Sequence, residues 1–347
     1  MTGAVHLDRQ RRTQLAFGLL LVTLLLGIAG LAAGSDGWSL TQLMQTWNSP
    51  DAALILGQIR TPRTLGAWLT GALLGFAGAT AQGLFRNPLA DPYLLGSASG
   101  AALGVVLVLA GSALGAQFGG HVISLASADA LARLGLVGAA FAGALLGVLL
   151  TLTLARGAQQ TTRLLLAGVV VGVVLSALSE LVTSAVPDAL RGRQAFMLGS
   201  TGFLGWSSCV ALALGLALAL PIGWRLARTL DALTLGHESA ASLGLALPQI
   251  RLALVCTLAL ATGLAVSQAG LIAFVGLVAP HLVRRFAPAT HGFTLLASAA
   301  TGGALLLMAD VLARTLIAPQ ELPVGVLSAL LGGGYLIGLL HQRRVAG

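Results

Sequence analysis

The chain has 347 residues, 56% hydrophobic and 9% charged, with a formal net charge of +8 and a mean hydropathy of +0.92. Soluble domains carry about a quarter charged residues, so too little polar surface remains to cover a globule in water, and lipid must solvate much of the chain. All 19 basic residues are arginine; without a lysine no P-loop of the G-x-x-x-x-G-K-[ST] kind can be written, and arginines scattered at segment ends speak for membrane topology rather than nucleic acid.

Ten continuously apolar runs predict membrane-spanning helices over about 15–34, 65–84, 95–115, 134–155, 164–185, 205–224, 250–267, 271–286, 293–315 and 324–341. The eighth is short and almost touches the seventh. The runs do not alternate, which excludes barrel strands. The expectation is an all-α membrane protein, one transmembrane domain over 1–347. Ten spans put both termini on one side. With residues 1–14 as a cytoplasmic tail, thirteen arginines fall inside and six outside (Arg60, Arg63, Arg133, Arg191, Arg193 and Arg314), as the positive-inside rule requires. The abundant glycine (46 residues) suits close helix packing.

Two stretches interrupt the apolar pattern. Arg86–Pro92 holds two prolines and reads as a cytoplasmic break. The segment 225–249 is the longest cytoplasmic loop, and Glu238–Gly244 within it reads as a short surface helix ended by glycine. Cys209 and Cys256 lie in apolar runs and read as buried thiols. Glu180 and Asp310 sit near the outer ends of spans, where water reaches. Asp310 precedes Arg314 by four residues, which predicts an ion pair; Glu180 is a candidate for lining a cavity. His281, beside Pro280, reads as a helix-end residue. With no Cys/His cluster, no metal site is assigned.

Five motifs occur in order: Arg60-Thr61-Pro62-Arg63; Gln82-Gly83-Leu84-Phe85-Arg86-Asn87-Pro88-Leu89-Ala90-Asp91-Pro92; Arg163-Leu164-Leu165-Leu166-Ala167-Gly168; Leu235-Gly236-His237-Glu238-Ser239-Ala240 with Leu243-Gly244; and Gly270 through His281, followed by Asp310, Arg314 and Glu321-Leu322-Pro323-Val324-Gly325. In these the chain resembles the permease subunits of type II ATP-binding-cassette importers for iron–siderophore complexes, haem and vitamin B12. The likeness covers about residues 55–340. Where that family has Gly-x-Pro near the last span, this chain has Gly332-Gly333-Gly334, which should leave the last helix straighter or looser.

The resemblance implies a homodimer in a bacterial inner membrane, with two separate ATPase subunits and a periplasmic binding protein. The chain itself would carry no catalytic residue and no cofactor; ATP and magnesium would belong to the ATPase. It implies docking of the binding protein at Arg60, Arg63 and Arg314, and a cytoplasmic gate at Asn87, Leu89, Thr161 and Thr162. Coupling to the ATPase would fall on Leu235, Gly236, His237, Glu238, Ala240, Leu243 and Gly244. Two rivals have less support. An intramembrane protease would need a histidine in a span to activate Ser99. A gradient-driven carrier would need a carboxylate relay near the midplane.

Overall fold

Hydrocarbon offers backbone N–H and C=O groups no water, so each segment must satisfy its own, and helices are the solution. The computed structural model describes residues 2–34, 37–47, 49–116, 130–157, 160–235, 240, 242 and 246–345. In chain order they form α1 (Thr2–Ala32), a two-residue antiparallel ribbon of β1 (Ala33–Gly34) and β2 (Gly37–Trp38), α2 (Leu40–Trp47) and α3 (Ala52–Leu54). A wide π-type turn, Ile55–Arg60, then runs into α4 (Thr61–Phe85). The rest are α5 (Ser97–Ala116), α6 (Ala130–Leu154), α7 (Thr161–Ala185), α8 (Ala189–Leu198), α9 (Trp206–Thr234), α10 (Leu247–Ala269), α11 (Val275–Phe286), α12 (His291–Thr315) and α13 (Val324–Val345).

Each of the ten expected spans contains a helix, and among the described residues eight helices are long and apolar enough to cross a membrane. The eighth run differs from a full span. Its helix, α11, has 12 residues, about 18 Å of rise. Residues 270–274 are not helical and lead into it from the end of α10. Phe274 turns the chain at φ 67, and Gly270 does so at φ 71. The 270–286 segment thus crosses as a non-helical stretch plus a half-helix, which is tolerated only where protein encloses it. Val275, Gly276, Val278, Ala279, Pro280 and Val283 are buried. α13 runs unbroken through Gly332–Gly334.

At the centre stands α4, 89% buried over its apolar window, whereas the window of α1 is 11% buried at the rim. α4 packs most extensively on α12, and glycines let the backbones meet. A Cβ at Gly71 would run into the carbonyl of Gly302, one at Gly75 into that of Ser298, and one at Gly78 into that of Gly276. A second seam joins α5 to α6, where Gly100 and Gly104 face Gly143 and Ala139. In lipid the hydrophobic effect does not drive helices together, so contact of this kind supplies much of the association. Cys209 is buried and its Sγ donates to the Pro62 carbonyl at 3.1 Å. Cys256 departs from expectation: it is exposed on α10. Apolarity alone does not distinguish a helix's packed face from its lipid face.

Replacing Gly75 with leucine is expected to cost about 1–3 kcal/mol or more through overpacking and to lower the thermal unfolding midpoint in detergent. Gly111→Leu is the control, since a Cβ at Gly111 meets nothing within 4 Å; its midpoint should not fall.

Candidate functional site

Polar chemistry collects at the two ends of the α4–α12 pair. At the outer end, α4 begins with Thr61-Pro62, proline being tolerated where no intrahelical N–H bond is needed. The next residue, Arg63, is aimed at α12. Its Nε donates to Asp310 Oδ1 at 3.1 Å, and its two terminal nitrogens donate to Glu321 Oε1 and Oε2 at 2.8 and 2.9 Å. Asp310 is 0% exposed. It accepts a further bond from Thr201 Oγ1 at 2.6 Å, and its Oδ2 takes Arg314 NH2 at 2.5 Å. Two carboxylates and two guanidiniums therefore balance, with every strong acceptor of Asp310 in use.

The expected pair of Asp310 and Arg314 forms, but water does not reach it. Arg314, placed by sequence at the docking rim, is 5% exposed. Besides Asp310 it donates to the carbonyl of Gly30 at 3.0 Å, which ties α1 to α12. So enclosed, it can act on a docked protein only through its neighbours. Arg60 is half-buried and donates to the Leu31 carbonyl at 2.8 Å. Arg63 has 12% of its side chain exposed and Glu321 has 50%, so the fork between them is the wet face of a buried cluster. The Arg63 hydrogen bond holds the Glu321 carboxyl below the usual carboxylate range. Glu180, considered for a cavity, pairs instead with Arg193 at 2.5 Å.

At the inner end, α4 stops on Arg86 in the left-handed region (φ 51), with the Asn87 N–H returning to the Gln82 carbonyl at 3.2 Å. Pro88 cannot continue a helix. Asn87 Oδ1 accepts the Leu89 N–H at 2.9 Å, an Asx turn that leaves Leu89 63% exposed. Asp91 Oδ1 accepts the Tyr93 N–H at 2.8 Å, and burial pushes its carboxyl above the usual range. Thr161 and Thr162 open α7, half-buried and exposed respectively. Farther along the two segments, the loop after α4 touches α7, where a Cβ on Gly168 would run into the Leu94 carbonyl.

Of the coupling residues, Leu235 caps α9 and is 71% exposed, and Ala240 is helical and buried. Gly236, His237, Glu238, Leu243 and Gly244 lie outside the described residues. Sequence reasoning missed two pairs close by. Asp231, in the last turns of α9, accepts both the backbone N–H of His291 at 2.9 Å and its Nδ1 at 2.7 Å. A carboxylate there also suits the positive end of α12. Gln82, on α4, bonds Arg284 of α11 and donates to the Leu277 carbonyl at 3.2 Å. Gln82 was visible as the polar residue that opens its motif; Asp231 had no such signal. His281 stacks edge-on to Tyr335 at 5.8 Å. Among the described residues no group of three or more His, Cys, Asp or Glu could hold a metal.

Residues 19–342 match the FecCD transport family. The chain belongs to that family. It is 40% identical over 96% of its length to the hemin transport system permease protein HmuU of Yersinia pestis, covering 97% of that protein. It is 36% identical over its whole length to the vitamin B12 import system permease protein BtuC of Klebsiella pneumoniae, covering 99% of that one. Among solved structures, an inward-facing metal-chelate type ABC transporter superposes with a TM-score of 0.81 at 26% identity, covering 95% of this chain and 99% of that one. This FecCD chain is a multi-pass permease of the inner membrane, a transport component of an ATP-binding-cassette importer rather than an enzyme.

Asp310→Asn is expected to destabilise the fold by about 3–5 kcal/mol, because it leaves two buried guanidiniums short of charge. Thermal unfolding in detergent reads it. Glu321→Gln, at a half-exposed site, should cost at most about 1 kcal/mol. Glu321 has a lowered folded pKa, so its contribution is complete above the ordinary carboxylate range and is lost as pH falls through the lowered value. The gap in midpoint between wild type and Glu321→Gln should therefore close only in acid below that range.

Proposed function

We propose that this chain is one half of a homodimeric permease that moves a large metal complex (haem, a ferric siderophore or cobalamin) from periplasm to cytoplasm. It would work with two ATPase subunits, which carry the ATP and magnesium, and with a periplasmic binding protein. The observation that carries this reading is the end-to-end likeness to permeases of both haem and vitamin B12 importers. The chain's lack of any lysine agrees with it, since the P-loop must then lie on a partner.

The second copy would cover the outward face of α7, where Leu166, Val169, Val173 and Leu181 are exposed. Beside that face lies a hollow lined by Gly96, Gly168 and Gly172, with the hydroxyls of Ser99 and Ser176 bonded at 3.0 Å. Asp91 and Tyr93 line it as well. Small side chains and a hydroxyl pair suit passage of a bulky, weakly held cargo. Asn87, Leu89, Thr161 and Thr162 would close it below.

Residues 235–244 would receive the ATPase. Closure of the ATPase pair would push the end of α9, and the Asp231–His291 bond would carry that push into α12. That helix reaches across the membrane to Asp310 and Arg314 beneath the docking face. Docking would use Arg60 and the Arg63–Glu321 fork, where charge steers encounter and register. A gradient-driven carrier is disfavoured: Asp310 is held by two arginines and a threonine, and Glu180 by Arg193, so both carboxylates already serve ion pairs at the outer end of the bundle.

Proteoliposomes holding the permease, its ATPase and its binding protein should take up one of the three cargo classes only with ATP, and ionophores should not stop uptake. Exchanging residues 238–243 for a Gly/Ser linker should abolish uptake and ATPase co-purification while the permease still inserts. Arg60→Glu should weaken binding-protein affinity several-fold at low salt. Uptake that follows an ion gradient without ATP would overturn the proposal.

A further inference from the structure

The outer arginines are not all occupied. Arg60, Arg63, Arg193 and Arg314 each hold a partner. Arg133, in the first turns of α6, is half-buried and has no hydrogen bond or ion pair among the described residues. It stands where two hollows meet. The upper one, about 90 Å³, is lined in part by Ser200 and Gln268. The lower one, about 460 Å³, is a groove between α6 and α9 floored by α10, lined chiefly by Leu134, Gly138, Phe141, Ala211 and Leu264. α6 and α9 each pack on α10.

The groove is open in part because a glycine lines it. A Cβ at Gly138 would meet no atom within 4 Å. From Arg133 to Phe141 it descends eight residues, about 12 Å along the helix. One leaflet of hydrocarbon is about 15 Å deep, half of the roughly 30 Å core. Among the described residues no acidic side chain lines either hollow. The charge at the mouth therefore meets no described carboxylate, and the groove beneath it is mostly apolar, Ser207, Ser267 and Gln268 being its polar lining.

We propose that this is a binding site for one anionic glycerophospholipid of the periplasmic leaflet. The Arg133 guanidinium meets the phosphodiester, the Gln268 amide donates beside it, and one acyl chain lies in the groove against Gly138, Phe141 and Leu264. The leaflet follows from the inside placement of the termini; the site itself depends on neither cargo nor ATPase. An arginine that only snorkels to the interface would also meet headgroups, but it would not need the groove.

The test titrates delipidated permease in detergent with phosphatidylglycerol and with phosphatidylcholine of the same acyl chains, and counts retained lipid by native mass spectrometry. Wild type should keep one phosphatidylglycerol per chain with about a fivefold preference, the worth of one arginine–lipid contact. Arg133→Gln should bring that preference to parity. Gly138→Leu, which fills space already empty, should lower retention of both lipids while the unfolding midpoint holds. Should Gly138→Leu unfold the protein, Ala211→Leu fills the groove from the other wall. Equal retention of the two lipids by wild type overturns the proposal. Loss on Arg133→Gln without loss on filling the groove reduces it to snorkelling and overturns the site.

Discussion

The close approach of α4 to α12 governs this molecule. Three glycines, Gly71, Gly75 and Gly302, bring two backbones into contact along the middle of the bundle. Because helices are stiff, fixing their middles fixes their ends. About 33 Å of α4 separates Arg63 from Phe85, and α12 runs beside it for a similar length. Arg63 consequently lands on Asp310 at one surface. At the other, a Cβ on Gly83 would touch the His291 ring, so the inner end of α4 sits against the start of α12. A side chain inserted at the seam would spread the pair and disturb both.

That geometry explains how a charged cluster survives deep in the protein. A buried carboxylate costs several kcal/mol to desolvate and recovers it only with good partners on all its lone pairs. Asp310 has three donors in place before any partner protein arrives. Its cluster is neutral, so it exerts little field at a distance. Within and beside it, the Arg63–Glu321 fork and Arg60 are the groups that offer charge to solution. The outer face is thus built as a rigid base with a narrow polar rim, a form suited to fixing the register of a docked protein rather than to binding it tightly.

Much of the fold was legible in sequence, because the bilayer leaves few choices. Hydropathy located all eight of the described helices long and apolar enough to cross a membrane, and the Arg86–Pro92 break fell where α4 ends. The i,i+4 spacing foretold Asp310 with Arg314. What could not be read was direction. Spacing says that two residues share a helix face but not whether that face looks at lipid, water or another helix. Hence Arg314 was expected at the rim and lies inside, Cys256 was expected inside and faces out, and Asp310 was expected to be wet and is dry. The convergence of Arg63, Thr201 and Glu321 on one carboxylate joins residues up to 258 apart, which local patterns cannot express. The half-helix α11 shows a further limit. An apolar run of 16 residues read as a span, but the αL turn at Phe274 shortens the helix to 12.

The inner end carries the consequence for transport. α9 leads directly into the segment expected to meet the ATPase, and one carboxylate, Asp231, joins it to α12. This joint is small and polar, half-buried, and made to the first residue of the receiving helix. A displacement of the end of α9 therefore acts on the tip of α12, where leverage on the seam is greatest, rather than on its packed middle. The seam itself resists bending, since backbone contacts have no side-chain slack. On the proposed coupling, motion entering at Asp231 would appear as tilting of the α4–α12 pair as a unit against its less tightly packed neighbours.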